Sequence, residues 1–351
     1  MFAASPPISG NLVRYVDVDE FKGIVLANSS PGAELPSFAC HQAVELVPVA
    51  DKPILYHALE AIRDAGMAEV ALIVHPQGGE AIREAVADGS EWALRARYVP
   101  RLNRGVLDSV QAAERVLGRA QVVVYPGNGI LMAPLRHVMR RFQRARLEAL
   151  LPLRAVEPSC EAPDLGIYVF GKSVYDAARS TDRSWRGRLE LNDVLTALLK
   201  DRRRVETAPM AEWWSYHGHR EELLEANRLV LDRLSDSRQL GTIKDSTLEG
   251  RIAISASAHI ESTTVRGPSV IGPGAQLIDA HIGPYTTVGR LARVRGAEVE
   301  NSIIMAGAIV EDVESRIVRS VIGENAMLNR DFSMRKVLEF AVGHGSMATL
   351  S

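Results

Sequence analysis

Apolar residues along this chain come in two textures. In the first part they form short unbroken runs separated by stretches of helical spacing. Gly23–Ala27 (GIVLA), Glu69–His75 (EVALIVH), Ala96–Val99 (ARYV) and Gln121–Tyr125 (QVVVY) read as buried strands. Between them, Pro53–Gly66 (PILYHALEAIRDAG), Glu80–Ala87 and Asp108–Leu117 carry apolar residues at helical intervals, the first stopping at a glycine. Strands alternating with helices of this length predict an α/β fold, a doubly wound and mostly parallel Rossmann-like sheet. Such sheets bind ligands at the carboxyl ends of their strands.

From about Ile252 the helical spacing stops. An aliphatic residue then recurs every five or six positions: Ile254, Ile260, Val265, Ile271, Leu277, Ile282, Val288, Val294 and Val299. The runs Ile271–Leu277 (IGPGAQL), Ile282–Val288 (IGPYTTV) and Ile322–Leu328 (IGENAML) share one register. This hexapeptide spacing predicts a parallel β-helix, in which each aliphatic stacks inside a triangular prism and is covered by the next coil. A β-sandwich would alternate with period two, which this segment does not do. Spacing leaves the hand of the helix open. The expected divisions are an N-terminal extension over 1–20, an α/β domain over 21–235 and a β-helix over 250–345.

Composition narrows the classes. With 351 residues the chain can bury two cores, and 46% hydrophobic with 24% charged residues is ordinary for a soluble globular protein. A net charge of -2 gives no global attraction to nucleic acid or to an anionic membrane. The Arg-rich stretch Arg140–Arg146 (RRFQRAR) reads as a solvated helix face. Two cysteines, Cys40 and Cys160, make neither a disulfide framework nor a zinc site. No secretory signal and no apolar run of about 18 residues is present, so a cytoplasmic protein is expected, with no membrane and no nucleic acid among its partners.

Several segments resemble the sugar-1-phosphate nucleotidylyltransferases, in particular the long form of the glucose-1-phosphate thymidylyltransferases. They are Phe21–Ala27 (FKGIVLA), Leu46–Pro53 (LVPVADKP), Leu59–Gly66 (LEAIRDAG), Ser184–Leu189 (SWRGRL), Leu223–Leu234 (LLEANRLVLDRL) and Val265–Gly289. The resemblance implies that the appended β-helix is left-handed. It also implies a reaction that joins a sugar-1-phosphate to a nucleoside triphosphate and releases pyrophosphate. Phosphates of two substrates must then approach each other, so cations and backbone N–H groups have to cancel their repulsion. In the family a glycine-rich loop with an Arg, a Pro-Lys pair, and two Mg²⁺-holding aspartates (Leu-Gly-Asp-Asn and Trp-Trp-x-Asp-x-Gly) do this.

This sequence departs at each of those points. The loop reads Asn28-Ser29-Ser30-Pro31-Gly32-Ala33-Glu34-Leu35, with Ala33 or Glu34 where the Arg stands. Pro31 also removes an N–H donor. Ala43-Val44, or Val44-Glu45 in the other register, replaces Pro-Lys. Asn128 and Tyr216 stand at the two aspartate positions, and Arg101 at a base-reading Gln. About two dozen residues that carry sugar-phosphate contacts are missing between Val156 and Gly166. By resemblance the nucleotide pocket would involve Leu26, Ala27, Asn28, Ser29, Gly32, Arg101, Gly105, Gly127 and Asn128, and the sugar side Gly166, Glu190, Trp214 and Tyr216. Each preorganised electrostatic group is worth about 3 kcal/mol of barrier, so four losses approach ~12 kcal/mol before non-additivity.

The expectation is a degenerate homologue with no catalytic residues and no metal site. It would bind a nucleotide or nucleotide sugar, or serve as a regulatory or scaffolding subunit, as a homo-oligomer or in complex with another protein. No cofactor is expected. The alternative is an active sugar-1-phosphate nucleotidylyltransferase with rebuilt ligands, in which Mg²⁺ would be held by carboxylates among Glu34, Glu45, Asp108, Glu190 and Asp193. Arg101 or Arg104 would then lie over the phosphates. Asp193 otherwise caps or flanks a helix. An acyltransferase using His259 or His281 in the β-helix is a third reading. His217 and His219 (YHGHR) read as a solvated loop rather than a metal pair. Two expectations can be checked. Mg²⁺ should not tighten nucleotide binding, and truncation after Leu234 should change the oligomeric state.

Overall fold

The computed structural model describes residues 20–27, 43–76, 79–101, 105–153, 166–183, 189–209, 212–234, 238–330 and 340–341. Among these residues seven strands form one sheet: β1 (Phe21–Ala27), β2 (Glu69–Val74), β3 (Arg95–Pro100), β4 (Gln121–Pro126), β5 (Ala149–Leu153), β6 (Tyr168–Phe170) and β7 (Val205–Pro209). Their spatial order is β7-β5-β6-β4-β1-β2-β3. All pairs are parallel except those of β6, which runs antiparallel to β4 and β5. The sheet is thus the mostly parallel one that the strand–helix alternation predicts.

Among the described residues six helices cover it, α1 (Ile54–Asp64), α2 (Gly79–Val86), α3 (Val106–Leu117), α4 (Leu135–Arg144), α5 (Ser173–Ser180) and α6 (Leu191–Lys200), while a seventh, α7 (Arg220–Leu231), packs away from the sheet in the seam cluster. Helix α3 begins two residues earlier than its apolar spacing predicts, directly after Gly105. Successive β1 side chains feed opposite cores, which is why the strand is apolar throughout. Phe21, Val25 and Ala27 join residues of α1, α2 and α4, whereas Ile24 and Leu26 join residues of α3, α5 and α6. Gly23 lets α1 close on the sheet: a Cβ there would lie 3.0 Å from Ile62 Cδ1.

After α7 the chain winds into a left-handed parallel β-helix of three sheets. Thr242 pairs with His259, His259 with Gln276 and Gln276 with Arg293, a step of 17 residues. The same step stacks Ile254, Ile271 and Val288 on one wall, Ile260, Leu277 and Val294 on the second, and Val265, Ile282 and Val299 on the third. All nine are buried in one aliphatic cluster. They are the residues whose spacing of six, six and five announces the coil.

The β-helix is seated on the first domain through a mixed seam. Its apolar part joins Val44, Val47, Val49, Trp214, Tyr216 and Leu223 to Ile303, Met305 and Val321 of the coils. Its polar part centres on Asn227 of α7, which is 1% exposed. The Asn227 Oδ1 accepts from Ala50 N (3.2 Å) and Thr287 Oγ1 (2.7 Å), while Nδ2 donates to Tyr285 O (3.1 Å). Nearby, Asp51 Oδ1 accepts from Arg290 N at 3.1 Å, and its other oxygen fills the space above Gly272. No helix among the described residues is long and apolar enough to cross a membrane.

Candidate functional site

The carboxyl ends of β4, β1, β2 and β3 make one rim. Gly127 N donates to Leu26 O at 3.0 Å, Ala27 lies opposite Val74, and Arg101 N donates to Val74 O at 2.8 Å. The rim therefore collects Leu26, Ala27, Gly127, Asn128 and Arg101. Asn28, Ser29 and Gly32, together with Pro31, Ala33, Glu34, Cys40, Arg104 and Cys160, lie outside the described residues.

Gly127 is required by close approach. A Cβ would sit 3.0 Å from Leu26 O and 3.2 Å from Glu45 Cγ. Glu45, 1% exposed, belongs to a short turn over Val44–Leu46 whose three residues are all buried. Whichever register replaces the Pro-Lys pair, the side chains there are buried and none is a cation.

A two-stranded antiparallel ribbon fixes the next positions. Gly129–Leu131 pairs with Trp213–Ser215, Ile130 lying opposite Trp214. Gly129 is compulsory, since a Cβ would come 2.1 Å from the Trp213 ring. Tyr125 braces the ribbon: its hydroxyl accepts from Leu131 N at 2.8 Å and its ring meets Trp213 edge-on at 5.3 Å. One step beyond the ribbon, Asn128 and Tyr216 bond to each other. Tyr216 N donates to Asn128 O (2.9 Å), and Asn128 Nδ2 donates to Tyr216 O (3.0 Å).

The sequence thus pairs, across one ribbon, the two positions read as former metal aspartates. Neither carries charge. The Tyr216 ring is 1% exposed, stacks on Trp214 at 6.1 Å and joins the seam cluster. Burial, then the Glu222 carboxylate, pushes its phenol well above the ordinary tyrosine range, so it stays neutral. Its hydroxyl has no hydrogen-bond partner among the described residues. A divalent cation of the Mg²⁺ type needs several oxygen ligands, carboxylates foremost. Among the described residues no three His, Cys, Asp or Glu side chains are placed to share a metal, and the pair at 128 and 216 does not fit one.

Another charged constellation lies where α3 begins. Asp108 is buried and accepts from Arg183 at 2.6 Å and from Leu189 N at 3.4 Å. A Cβ on Gly105 would fall 2.7 Å from the Asp108 carboxylate, which would have to shift. This brings Gly105 next to Leu189 and Glu190, which precedes α6. Asp193 sits in the first turn of α6, where a carboxylate complements the helix dipole, and its side chain makes no cap. Arg183 had no sequence signal, because its partner is 75 residues away. Gly166, at φ 140°, takes a conformation favourable to glycine just before β6.

The histidines carry ordinary duties. Glu222 accepts from the backbone N–H groups of His217 (2.8 Å) and His219 (3.2 Å), which closes the turn into α7. His259 lies 3.3 Å from Glu261, which also pairs with Lys244 on the coil surface. His281 is half-buried in its strand.

A mostly parallel α/β sheet with a ligand rim and an appended β-helix defines a nucleotidyl transferase architecture, and the nucleotidyl transferase family profile matches residues 22–161. The chain is 30% identical to a glucose-1-phosphate thymidylyltransferase of Streptomyces griseus, over 94% of this chain and 99% of that protein. It is also 30% identical to the low-salt glycan biosynthesis nucleotidyltransferase Agl11 of Haloferax volcanii, over 94% and 100%. A solved structure of a Bacillus anthracis glucose-1-phosphate thymidylyltransferase, 20% identical, superposes with a TM-score of 0.51 over 62% of this chain and 98% of that one. The chain belongs to the sugar-1-phosphate nucleotidylyltransferase family.

Proposed function

We propose that this chain is a non-catalytic member of its family, one that retains the rim as a binding surface for a nucleotide or nucleotide sugar and acts as a regulatory or scaffolding subunit. The observation that carries this is the Asn128–Tyr216 pair. Two positions that hold Mg²⁺ by family resemblance here hydrogen-bond to each other and are neutral. Tyr216 is moreover committed to the packing between the two domains. The buried Val44–Leu46 turn supports it from the other side of Gly127, since no cation is delivered there for phosphates.

Without a metal, the chain's own rim can still offer polar and cationic side chains, Arg101 foremost, to an anionic ligand. These bind and orient; they do not offset the charge that develops as one phosphate attacks another. The reading predicts no pyrophosphate release from glucose-1-phosphate with a panel of nucleoside triphosphates, in Mg²⁺ or Mn²⁺, above that of Asn128→Ala. Calorimetry should show nucleotide binding of equal affinity with and without Mg²⁺. Robust release that Asn128→Ala abolishes would instead mean a rebuilt active site, with Glu45 beside Gly127 as its first candidate ligand.

A further inference from the structure

Away from the rim, the layer of helices α2, α1 and α4 carries an unusual division of charge. The three lie side by side on one face of the sheet, since residues of each enter the same core. Tyr56 of α1 also donates to Ala85 O of α2 at 3.0 Å. On the flank formed by α4, Arg136, Arg140 and Arg144 recur at four-residue intervals and share one exposed face, about 12 Å long. His137, Arg140, Arg141 and Arg144 line an open groove of about 440 Å³ against β7. Only Arg141 has a carboxylate, Glu206 at 3.4 Å; Arg136, Arg140 and Arg144 have no ion pair among the described residues.

The opposite flank carries the other sign. Glu80 and Glu84 are exposed on one face of α2 and have no ion pair among the described residues, with Asp88 and Glu91 just past its end. Arg83, which interrupts them, is turned onto the Tyr98 ring at 4.7 Å. Between the flanks the charges of α1 are answered locally, Glu60 pairing with Lys52 just before the helix and Arg63 with Asp64. One face thus reads acidic, neutral, basic from edge to edge. Both α2 and α4 return the chain from the carboxyl to the amino end of parallel strands, so they point the same way.

We propose that this face docks on a second copy of itself. A two-fold axis parallel to the helices would lay the acidic α2 flank of one copy into the basic α4 groove of the other, and the reverse at the same time. The contact is isologous, so each unpaired stripe is answered twice. A self-match of this kind explains why opposite charges sit on separate flanks instead of pairing within each helix. The interface is electrostatic at its edges, so it is salt-sensitive and reversible.

The test is charge reversal in full-length protein, read by light scattering after gel filtration and by sedimentation velocity. Arg140→Glu with Arg144→Glu should halve the wild-type mass, and so should Glu80→Arg with Glu84→Arg. All four residues are exposed, and unchanged thermal melts would confirm that each variant folds. Mixing the two variants should restore the wild-type mass, because each then presents what the other lacks. Wild-type association should weaken about tenfold between ~0.05 M and ~0.5 M salt. Wild-type mass in both variants, or a monomeric wild type at low salt, overturns the proposal. A change in the Arg variant alone overturns it as well and indicates a different anionic occupant of the groove.

Discussion

The β-helix and the rim of the α/β domain show opposite relations between residue identity and structure. In the β-helix, any aliphatic of suitable size serves at Ile260, Leu277 or Val294, because the only requirement is to cover the coil below. At the rim, by contrast, particular residues fix the course of the backbone around Asn128 and Tyr216. Packing holds it there: Gly127 fits under Leu26 O, Gly129 fits under Trp213, and Tyr125 ties the ribbon down. On the non-catalytic reading proposed above, glycines and aromatics rather than ligands fix the geometry of the rim.

The largest test of this contrast removes Tyr216. If it now serves packing, Tyr216→Ala should behave as a core deletion, costing about 3–5 kcal/mol, in the range of Leu277→Ala at about 2–5 kcal/mol. Urea unfolding monitored by fluorescence would measure both. A loss below ~1 kcal/mol at Tyr216 would return it to the group of functional rim residues. Next in size is Asn227→Ala, which strands the Ala50 N–H, the Tyr285 carbonyl and the Thr287 hydroxyl at the seam. A loss of about 2–3 kcal/mol is expected, with faster proteolysis between α7 and the coils; no change would mean water replaces the amide.

A third test is a dependence on pH, at most of comparable size. Burial, opposed by the Arg290 N–H bond and the Arg290 charge, raises the Asp51 carboxyl from 3.8 to about 6. Its folded-state value exceeds the unfolded one, so its favourable contribution is complete below about pH 4 and is lost as pH rises through 6. Two units correspond to roughly 3 kcal/mol at most. Asp51→Asn should flatten unfolding free energy across that window, and an unchanged slope would assign the pH dependence to other groups.

How much of this was legible varied with the range of the interaction concerned. The β-helix was readable residue by residue because its 17-residue repeat writes the spacing of six, six and five directly into the chain. Strands β1, β2 and β4 were readable because both faces are buried, which leaves uninterrupted apolar runs. The antiparallel direction of β6 was not, since three residues of Tyr-Val-Phe look alike in either direction. At the rim, family resemblance singled out Asn128 and Tyr216, but no local pattern shows that residues 88 apart bond to each other. The seam contacts of Asp51 with Arg290, and of Asn227 with Thr287, were equally hidden. An Asp in a turn and an Asn inside a helix are commonplace until their distant partners are known.

On the non-catalytic reading proposed above, the placement of Tyr216 bears on any attempt to engineer activity into this chain. A carboxylate at 216 would need to shed its water in the apolar cluster that holds Trp214, Ile303 and Met305, with the like-charged Glu222 carboxylate acting on the same position. Until that lining is redesigned, the substitution that supplies a metal ligand also pulls the β-helix from its seat. Ile303, Met305 and Trp214 have to be rebuilt first, with the ligand added last. The packing between the domains therefore sets the order in which chemistry can be restored.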